Sequence, residues 1–148
     1  WGKGSDFEQV KLLDRKQIPQ GVSISCGAYD SIDTDLQRVE MDDRLEPVAQ
    51  FPNNWYKEST ENDTFVMKIT CRALFLINKD SAAIDVGKAD VYVDGKYKLT
   101  ADPHKNGWTH CNPLLVFSEE QAEEHTVEIR MAAGDEEKKF TILGFGYV

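Results

Sequence analysis

The 148-residue sequence contains no run of about 18 apolar residues, the length that a membrane-spanning helix requires. It also lacks an excess of basic residues, since 26 acidic residues against 17 basic ones give a formal net charge of -9. A chain of this charge repels nucleic acids and anionic membranes at long range. We therefore exclude both as main partners.

The motifs of common hydrolases are missing as well. The sequence has no G-x-S-x-G elbow, no GDS-type block and no Asp-x-x-His block. Its three histidines, His104, His110 and His125, include no H-E-x-x-H pair. A pair of catalytic carboxylates remains open on sequence alone, because 26 acidic residues allow many pairings. Runs of charge are usually solvated surface, and we predict no catalytic residue in this chain.

Cysteine is scarce and its count of three is odd, so at most one disulfide can form within the chain. The spacing of Cys26, Cys71 and Cys111 matches no zinc ribbon or C-x-x-C site. Cys71 lies between two strand-like segments, where a small buried side chain is expected. A bridge between Cys26 and Cys111 is allowed by the sequence but not determined by it.

The chain begins at Trp1 without a starting methionine or a visible signal peptide, and we expect it to be a mature or excised piece of a longer protein. Residues 1–20 are predicted to be a lead-in segment or a short helix, with Ser5 and Glu8 as a capping box. Residues 21–148 are predicted to form one module, which is an ordinary size for a domain with its own core.

The last sixty residues show the clearest pattern. Asp94-Gly95 separates two alternating segments, which is a strong hairpin signal because both residues tolerate positive φ. In the segment 125–131, apolar Val127, Ile129 and Met131 alternate with polar residues, as in a strand with one buried face. The segment 140–148 is apolar on both faces and predicts a central strand.

The remaining segments complete the prediction. Residues 65–78 could be one long bent strand with a bulge near residue 71, and 48–51 a short strand. Residues 118–124 read as a helical turn with Ser118 as its cap, and 132–139 as a hairpin loop around Gly134. The count of about eight strands predicts an all-β antiparallel sandwich of jelly-roll type.

Five segments carry a resemblance: FPNNWY at 51–56, VYVDG at 91–95, NGW at 106–108, HTVEI at 125–129 and KKFTILGFGY at 138–147. Together they resemble the β-sandwich accessory domain beside SGNH/GDSL-type hydrolases of gut and rumen Firmicutes. They also resemble the jelly-roll domain of related carbohydrate esterases. The resemblance implies a secreted or cell-surface bacterial enzyme whose catalytic domain is a neighbour of this module. It carries no catalytic residue to this chain.

Two segments combine aromatic rings with hydrogen-bonding side chains, as a sugar site requires. One holds Trp108, with Asn106, His110 and Asn112 as hydrogen-bonding groups. For Trp108, a stacking platform and a plug at the end of the sandwich remain equally open.

The second segment holds Trp55 and Tyr56, and there the structural interpretation of Trp55 is slightly favoured. Tyr29 is a weaker candidate for sugar contact. Tyr92 and Tyr97 flank the hairpin turn, and could form an outward-facing pair that is either a flat platform or sheet decoration.

No cofactor is expected, although a structural calcium ion is conceivable because sandwich modules often hold one through carboxylates. Six acidic residues could supply the oxygens: Asp30, Asp33, Asp35 and Glu40, or Asp42 and Asp43. No EF-hand spacing is present.

The sequence favours a non-catalytic carbohydrate-binding module that targets an attached esterase or hydrolase to a polysaccharide or oligosaccharide. The alternative is a structural accessory domain that packs against an SGNH hydrolase domain and binds no sugar by itself.

Overall fold

A computed structural model describes residues 9–36, 38–39, 48–49, 51–105 and 111–148. These residues form ten β-strands, and no α-helix occurs among them. The strands are β1 (Lys11–Leu13), β2 (Ser23–Ser25), β3 (Arg38–Val39), β4 (Val48–Ala49), β5 (Trp55–Lys57), β6 (Phe65–Lys79), β7 (Ala89–Val93), β8 (Lys96–Ala101), β9 (Cys111–Met131) and β10 (Phe140–Tyr147). Within the described ranges, no helix is long and apolar enough to cross a membrane.

Eight strands form one antiparallel sheet in the order β1-β10-β6-β9-β7-β8, with β2 paired to β6 and β5 paired to β10. Strands β3 and β4 pair only with each other. The long strands β6 and β9 lie side by side along most of their length, and they therefore organise the whole sheet.

The sheet folds over itself. Phe145 of β10 pairs with Leu76, which lies eleven residues beyond Phe65 along β6. A straight strand would place those two positions about 36 Å apart. The rings of Phe65 and Phe145 are instead stacked with centroids 5.8 Å apart, and Trp55 lies 5.4 Å from Phe65. The two halves of the sheet thus enclose a common core, and the predicted all-β antiparallel sandwich is confirmed.

An irregularity in β6 and β9 marks the change of direction. Cys71 lies opposite Glu123, but Ala73 lies opposite Ser118, so residues 119–122 of β9 face a single residue of β6. Such a bulge bends a strand and interrupts the ladder. The prediction of one long strand over residues 65–78 with a bulge near Cys71 is confirmed.

The predicted helical turn at residues 118–124 is wrong, because this segment is part of β9. Its polar, helix-favouring side chains are accommodated by the bulge, where the backbone leaves the regular ladder. Tertiary pairing with β6 overrides a local capping signal of this kind.

The hairpin between β7 and β8 is confirmed. Asp94 and Gly95 have φ values of 52° and 82°, so both central residues occupy the left-handed region that a type I′ turn requires. The turn brings Tyr92 directly opposite Tyr97.

Strand β10 is central, as predicted. It is flanked by β6 on one side and by β1 and β5 on the other, and seven of its eight residues are buried.

The loop at residues 132–139 is not a hairpin, although Gly134 has a positive φ of 93°. Both β9 and β10 run antiparallel to β6, so they run parallel to each other and cannot form a hairpin.

The described part of the lead-in segment belongs to the sheet, because β1 pairs with residues 145–147 of β10. The capping box of Ser5 and Glu8 lies outside the described residues. Cys26 is a free thiol, and the side chain of Cys111, the other half of the disulfide considered above, lies outside the described part of the structure. Cys71 is also free, and it is buried as predicted.

Candidate functional site

The outer face of the β7–β8 hairpin carries a pair of aromatic rings, Tyr92 and Tyr97. Neighbouring Val91 and Val93 point into the core, so alternation turns Tyr92 outward. The two rings meet edge to face with centroids 5.9 Å apart, and Tyr97 is 56% exposed. We call this pair the tyrosine platform.

Polar groups surround the tyrosine platform. The guanidinium of Arg130 on β9 lies 3.9 Å from the centroid of the Tyr92 ring. Thr100 donates a hydrogen bond from Oγ1 to Oδ1 of Asp90 at 2.6 Å, and the Tyr97 hydroxyl lies 2.7 Å from the same Oγ1. Because the Thr100 proton is directed at Asp90, the Tyr97 hydroxyl is the donor to Thr100.

This arrangement combines the exposed ring of Tyr97 with hydrogen-bond donors and acceptors beside it. An aromatic face can pack on the C–H face of a pyranose ring, while guanidinium, carboxylate and hydroxyl groups bond its hydroxyls. The hydrogen bond to Thr100 also restrains Tyr97, so less side-chain entropy would be lost when a ligand binds.

Two of the residues predicted to contact sugar belong to the core. Trp55 is 3% exposed and packs against Phe65 and Phe145, and Tyr29 is fully buried against Phe65 and Phe140. In this structure neither ring has a face open to a ligand, so their assignment to a sugar site is corrected. The physical reason is that β5 pairs with β10 and turns Trp55 between the two halves of the sandwich.

Tyr56 points the other way from Trp55 and is half-buried. It pairs with Thr141 of β10, and its backbone exchanges two hydrogen bonds with Ser31. Burial raises the pKa of the Tyr56 hydroxyl. Tyr56 is therefore only partly available for contact with a ligand.

Asn106, Trp108 and His110 lie outside the described residues, so their role stays a prediction. Asn112 is the second residue of β9 and lies opposite Asn78 of β6. The tyrosine platform lies beside residues 128–130 of the same strand, at its other end. The structure brings together the hairpin tyrosines.

Two aspartates of the acidic segment considered for calcium, Asp30 and Asp33, already accept contacts from other protein groups. Oδ2 of Asp33 accepts hydrogen bonds from Lys79 at 3.1 Å and from Thr141 at 2.6 Å, and Oδ1 accepts one from the Asp35 amide. Asp30 accepts a contact of 3.5 Å from the Cys26 thiol. Glu40, Asp42 and Asp43 lie outside the described residues. A structural calcium ion in this segment stays a prediction.

Neither histidine in the described part of the chain has a serine as a hydrogen-bond partner. His104 Nε2 lies 2.7 Å from the carbonyl oxygen of Ala83. His125 lies between two carboxylates, with Nδ1 at 2.6 Å from Asp94 and Nε2 at 2.8 Å from Glu119. Burial lowers the pKa of His125, but the bonds to Glu119 and Asp94 outweigh it and raise the pKa overall.

Sequence reasoning missed the group formed by Asp94, Glu119 and His125. The sequence pattern identified Asp94 only as a turn residue and His125 only as the first residue of a strand. Their contact depends on the pairing of β7 with β9, which is not encoded in any local pattern.

No protein-family model matches the sequence, and no curated protein matches it. The fold is similar to solved structures of a two-domain esterase active on acetylated mannans. The structure of that esterase co-crystallised with mannopentaose matches with a TM-score of 0.64 and 16% sequence identity. This match covers 95% of this chain and 37% of the esterase. A second structure of it gives 0.61 at 17% identity, covering 95% and 36%.

An acetyl xylan esterase from the rumen bacterium Butyrivibrio proteoclasticus is similar as well, with a TM-score of 0.50 and 13% identity. That match covers 93% of this chain and 32% of the esterase. The chain thus spans about a third of the length of these carbohydrate esterases. At such low identity the similarity establishes the fold alone.

Proposed function

We propose that this domain is a non-catalytic carbohydrate-binding module that holds an attached esterase or hydrolase on a polysaccharide. The observation that carries the proposal is the tyrosine platform, with its exposed Tyr97 ring, Arg130 over the Tyr92 ring, and Asp90 and Thr100 beside Tyr97. The fold similarity to part of two carbohydrate esterases supports it.

The mechanism is an increase in effective concentration. A module that binds a polymer weakly and reversibly keeps the tethered catalytic domain close to the substrate. The active site of the catalytic domain is not altered. Because such polysaccharides are encountered outside the cell, we propose that the protein is secreted by a bacterium or attached to its surface. The neighbouring domain would be of the SGNH type.

In this proposal the segment 106–112, identified from the sequence as a candidate sugar site, is the second sugar-binding surface. Trp108 would stack on a ring, with Asn106, His110 and Asn112 bonding its hydroxyls, and Tyr56 would contribute a partial contact. Tyr97 and Trp108 can be substituted separately, so the contribution of each surface can be measured.

Affinity gel electrophoresis tests the proposal directly. The wild-type protein is run through gels containing galactomannan, acetylated glucomannan, acetylated xylan or no polymer. We expect retardation by one polymer class, weakened at least about tenfold, or ~1.4 kcal/mol, in Tyr97→Ala or Trp108→Ala. Ile84→Ala is the matched control, because Ile84 is 88% exposed and lies outside the tyrosine platform.

Tyr97→Phe refines the result. It keeps the ring but removes the hydroxyl that donates to Thr100, so a stacking role predicts substantial retention of binding. If no polymer retards the wild-type protein, or if both alanine variants bind like the Ile84→Ala control, the proposal fails.

The alternative is a structural domain that packs against the catalytic domain and binds no sugar. One observation favours it: the edge beside β1 is an open cleft lined by Lys11, Leu12, Ile18, Pro19 and Tyr147. Ile18 is 44% exposed there, so a partner surface would cover apolar area. Absence of binding to every polymer, together with loss of association with the catalytic domain in Ile18→Asp, would support this alternative.

A further inference from the structure

A cluster of metal-ligating side chains lies at the bend of the sandwich, next to the turn of the β7–β8 hairpin. Glu119, Glu123 and His125 each offer one ligand atom, and these three atoms all lie within 4.8 Å of one another. The bulge in β9 produces this grouping, because residues 119–122 leave the ladder and let Glu119 turn back towards His125.

His125 is already held in the orientation that a metal ligand needs. Its Nδ1 lies 2.6 Å from Oδ2 of Asp94, and Oδ1 of Asp94 accepts the backbone N–H of Thr126 at 2.9 Å. A carboxylate behind Nδ1 fixes the tautomer whose Nε2 lone pair can bind a metal in place of the present contact with Glu119. The ring also packs on Phe117, with centroids 4.5 Å apart, which restricts its rotation.

The charge of the cluster favours a cation beside His125, either a proton on the ring or a metal ion. Three carboxylates, those of Asp94, Glu119 and Glu123, surround one buried imidazole. With Nδ1–H directed at Asp94, the Nε2 lone pair would face the Glu119 carboxylate at 2.8 Å unless a proton or a metal ion lies between them. Arg72 also lines the open depression beside Glu119.

We propose that Glu119, Glu123 and His125 bind a divalent transition-metal ion of the zinc type, with Asp94 as the group that orients His125. One imidazole nitrogen and two carboxylate oxygens suit zinc, which binds such ligands at about 2.0–2.2 Å in tetrahedral geometry. Tetrahedral ligands at that distance are about 3.3 Å apart, so the cluster needs side-chain shifts of about an ångström.

Calcium fits the cluster less well. It prefers six to eight oxygen ligands, whereas this set offers a nitrogen and two carboxylates.

The depression lined by Arg72, Ser118, Glu119 and Glu120 is open to solvent, so water can occupy a fourth position. The bound ion would tie the bulge of β9 to the β7–β8 hairpin, through His125 and Asp94.

Isothermal titration of the metal-free protein with ZnCl₂, and separately with CaCl₂, tests the proposal. We expect about one equivalent of zinc to bind, a higher melting temperature with zinc, and no comparable effect of calcium. Glu119→Gln and His125→Gln should each weaken binding by more than about 100-fold, and Asp94→Asn by about 10–100-fold. Glu128→Gln is the matched control, because Glu128 lies on the same strand outside the cluster.

Circular dichroism verifies that each variant is folded before the titration is interpreted. The proposal is overturned if the folded wild-type protein binds no zinc at micromolar concentration, which would leave a proton on His125 as the compensating charge. It is equally overturned if zinc binds but Glu119→Gln and His125→Gln bind it like Glu128→Gln, since the ion would then occupy another site.

Discussion

Tyr92 and Tyr97 lie directly opposite each other across the β7–β8 hairpin, with their ring planes inclined by 76°. The register of the hairpin shifts between Val91 and Tyr92, beside this pair. The geometry of the exposed rings therefore depends on the two-residue turn that closes the hairpin.

The turn itself is the first point to test. Gly95→Ala should lower the free energy of unfolding by about 1–2 kcal/mol, because Gly95 has a φ of 82° and an L-residue is strained there. No atom lies within 4 Å of the added Cβ, so strain rather than a clash is responsible. Urea denaturation measures the change. Lys96→Ala, at the next exposed position, is the control and should have little effect.

Lys57 makes the second prediction. Its side chain is fully buried, and Nζ donates to the carbonyl oxygens of Ser59, Glu136 and Lys138 at 3.0, 2.9 and 2.7 Å. Burial lowers the pKa of this amine. Lys57→Met leaves three acceptors without their donor and should destabilise the protein by about 2–4 kcal/mol in urea denaturation.

Lys68→Met is the matched control for Lys57, because it removes an amine from an exposed position on β6. Similar losses of stability in the two variants would show that the buried hydrogen bonds of Lys57 contribute nothing beyond an exposed charge.

Trp55 gives a spectroscopic prediction. In the variant Trp1→Phe/Trp108→Phe, Trp55 is the only tryptophan. Its fluorescence should be blue-shifted and resist quenching by iodide, because the ring is enclosed by Phe65 and Phe145. Quenching as strong as that of free tryptophan would contradict the core assignment. Trp55→Ala should cost about 3–5 kcal/mol of stability, so it is unsuitable as a test of sugar binding.

The thiols provide a fourth prediction, best made in Cys111→Ser so that only Cys26 and Cys71 remain. Burial raises the pKa of both thiols, and that of Cys71 reaches about 11. Since the thiolate is the reactive form, reaction with a disulfide reagent should speed up as pH rises from 7 towards 11. At pH 8, Cys26 should react first and Cys71 only after denaturation. Equal rates for the two would contradict this assignment.

Local patterns predicted the features that depend on local geometry. The hairpin at Asp94-Gly95 follows from residues that tolerate positive φ, and the buried face of Val127, Ile129 and Met131 follows from a period of two. The apolar composition of β10 indicated its central place, because a strand covered on both faces needs apolar residues on both.

The features that sequence reasoning missed depend on pairing between distant strands. The sequence left Trp55 open between a sugar contact and a slightly favoured structural role, and its pairing with Ile142 of β10 turns the ring into the core. The segment after Ser118 carries a helical capping signal, but pairing with β6 holds it in a bulged strand. The contact of His125 with Asp94 likewise requires the neighbourhood of β7 and β9.

The measurement that tests the central claim most directly is a titration of the ¹⁵N-labelled domain with mannan and xylan oligosaccharides, followed by NMR. The account predicts saturable shifts of the amides around Tyr92, Tyr97 and Thr100 or of those at residues 106–112, with one sugar class preferred. Unchanged spectra with every oligosaccharide at millimolar concentration would contradict a carbohydrate-binding function.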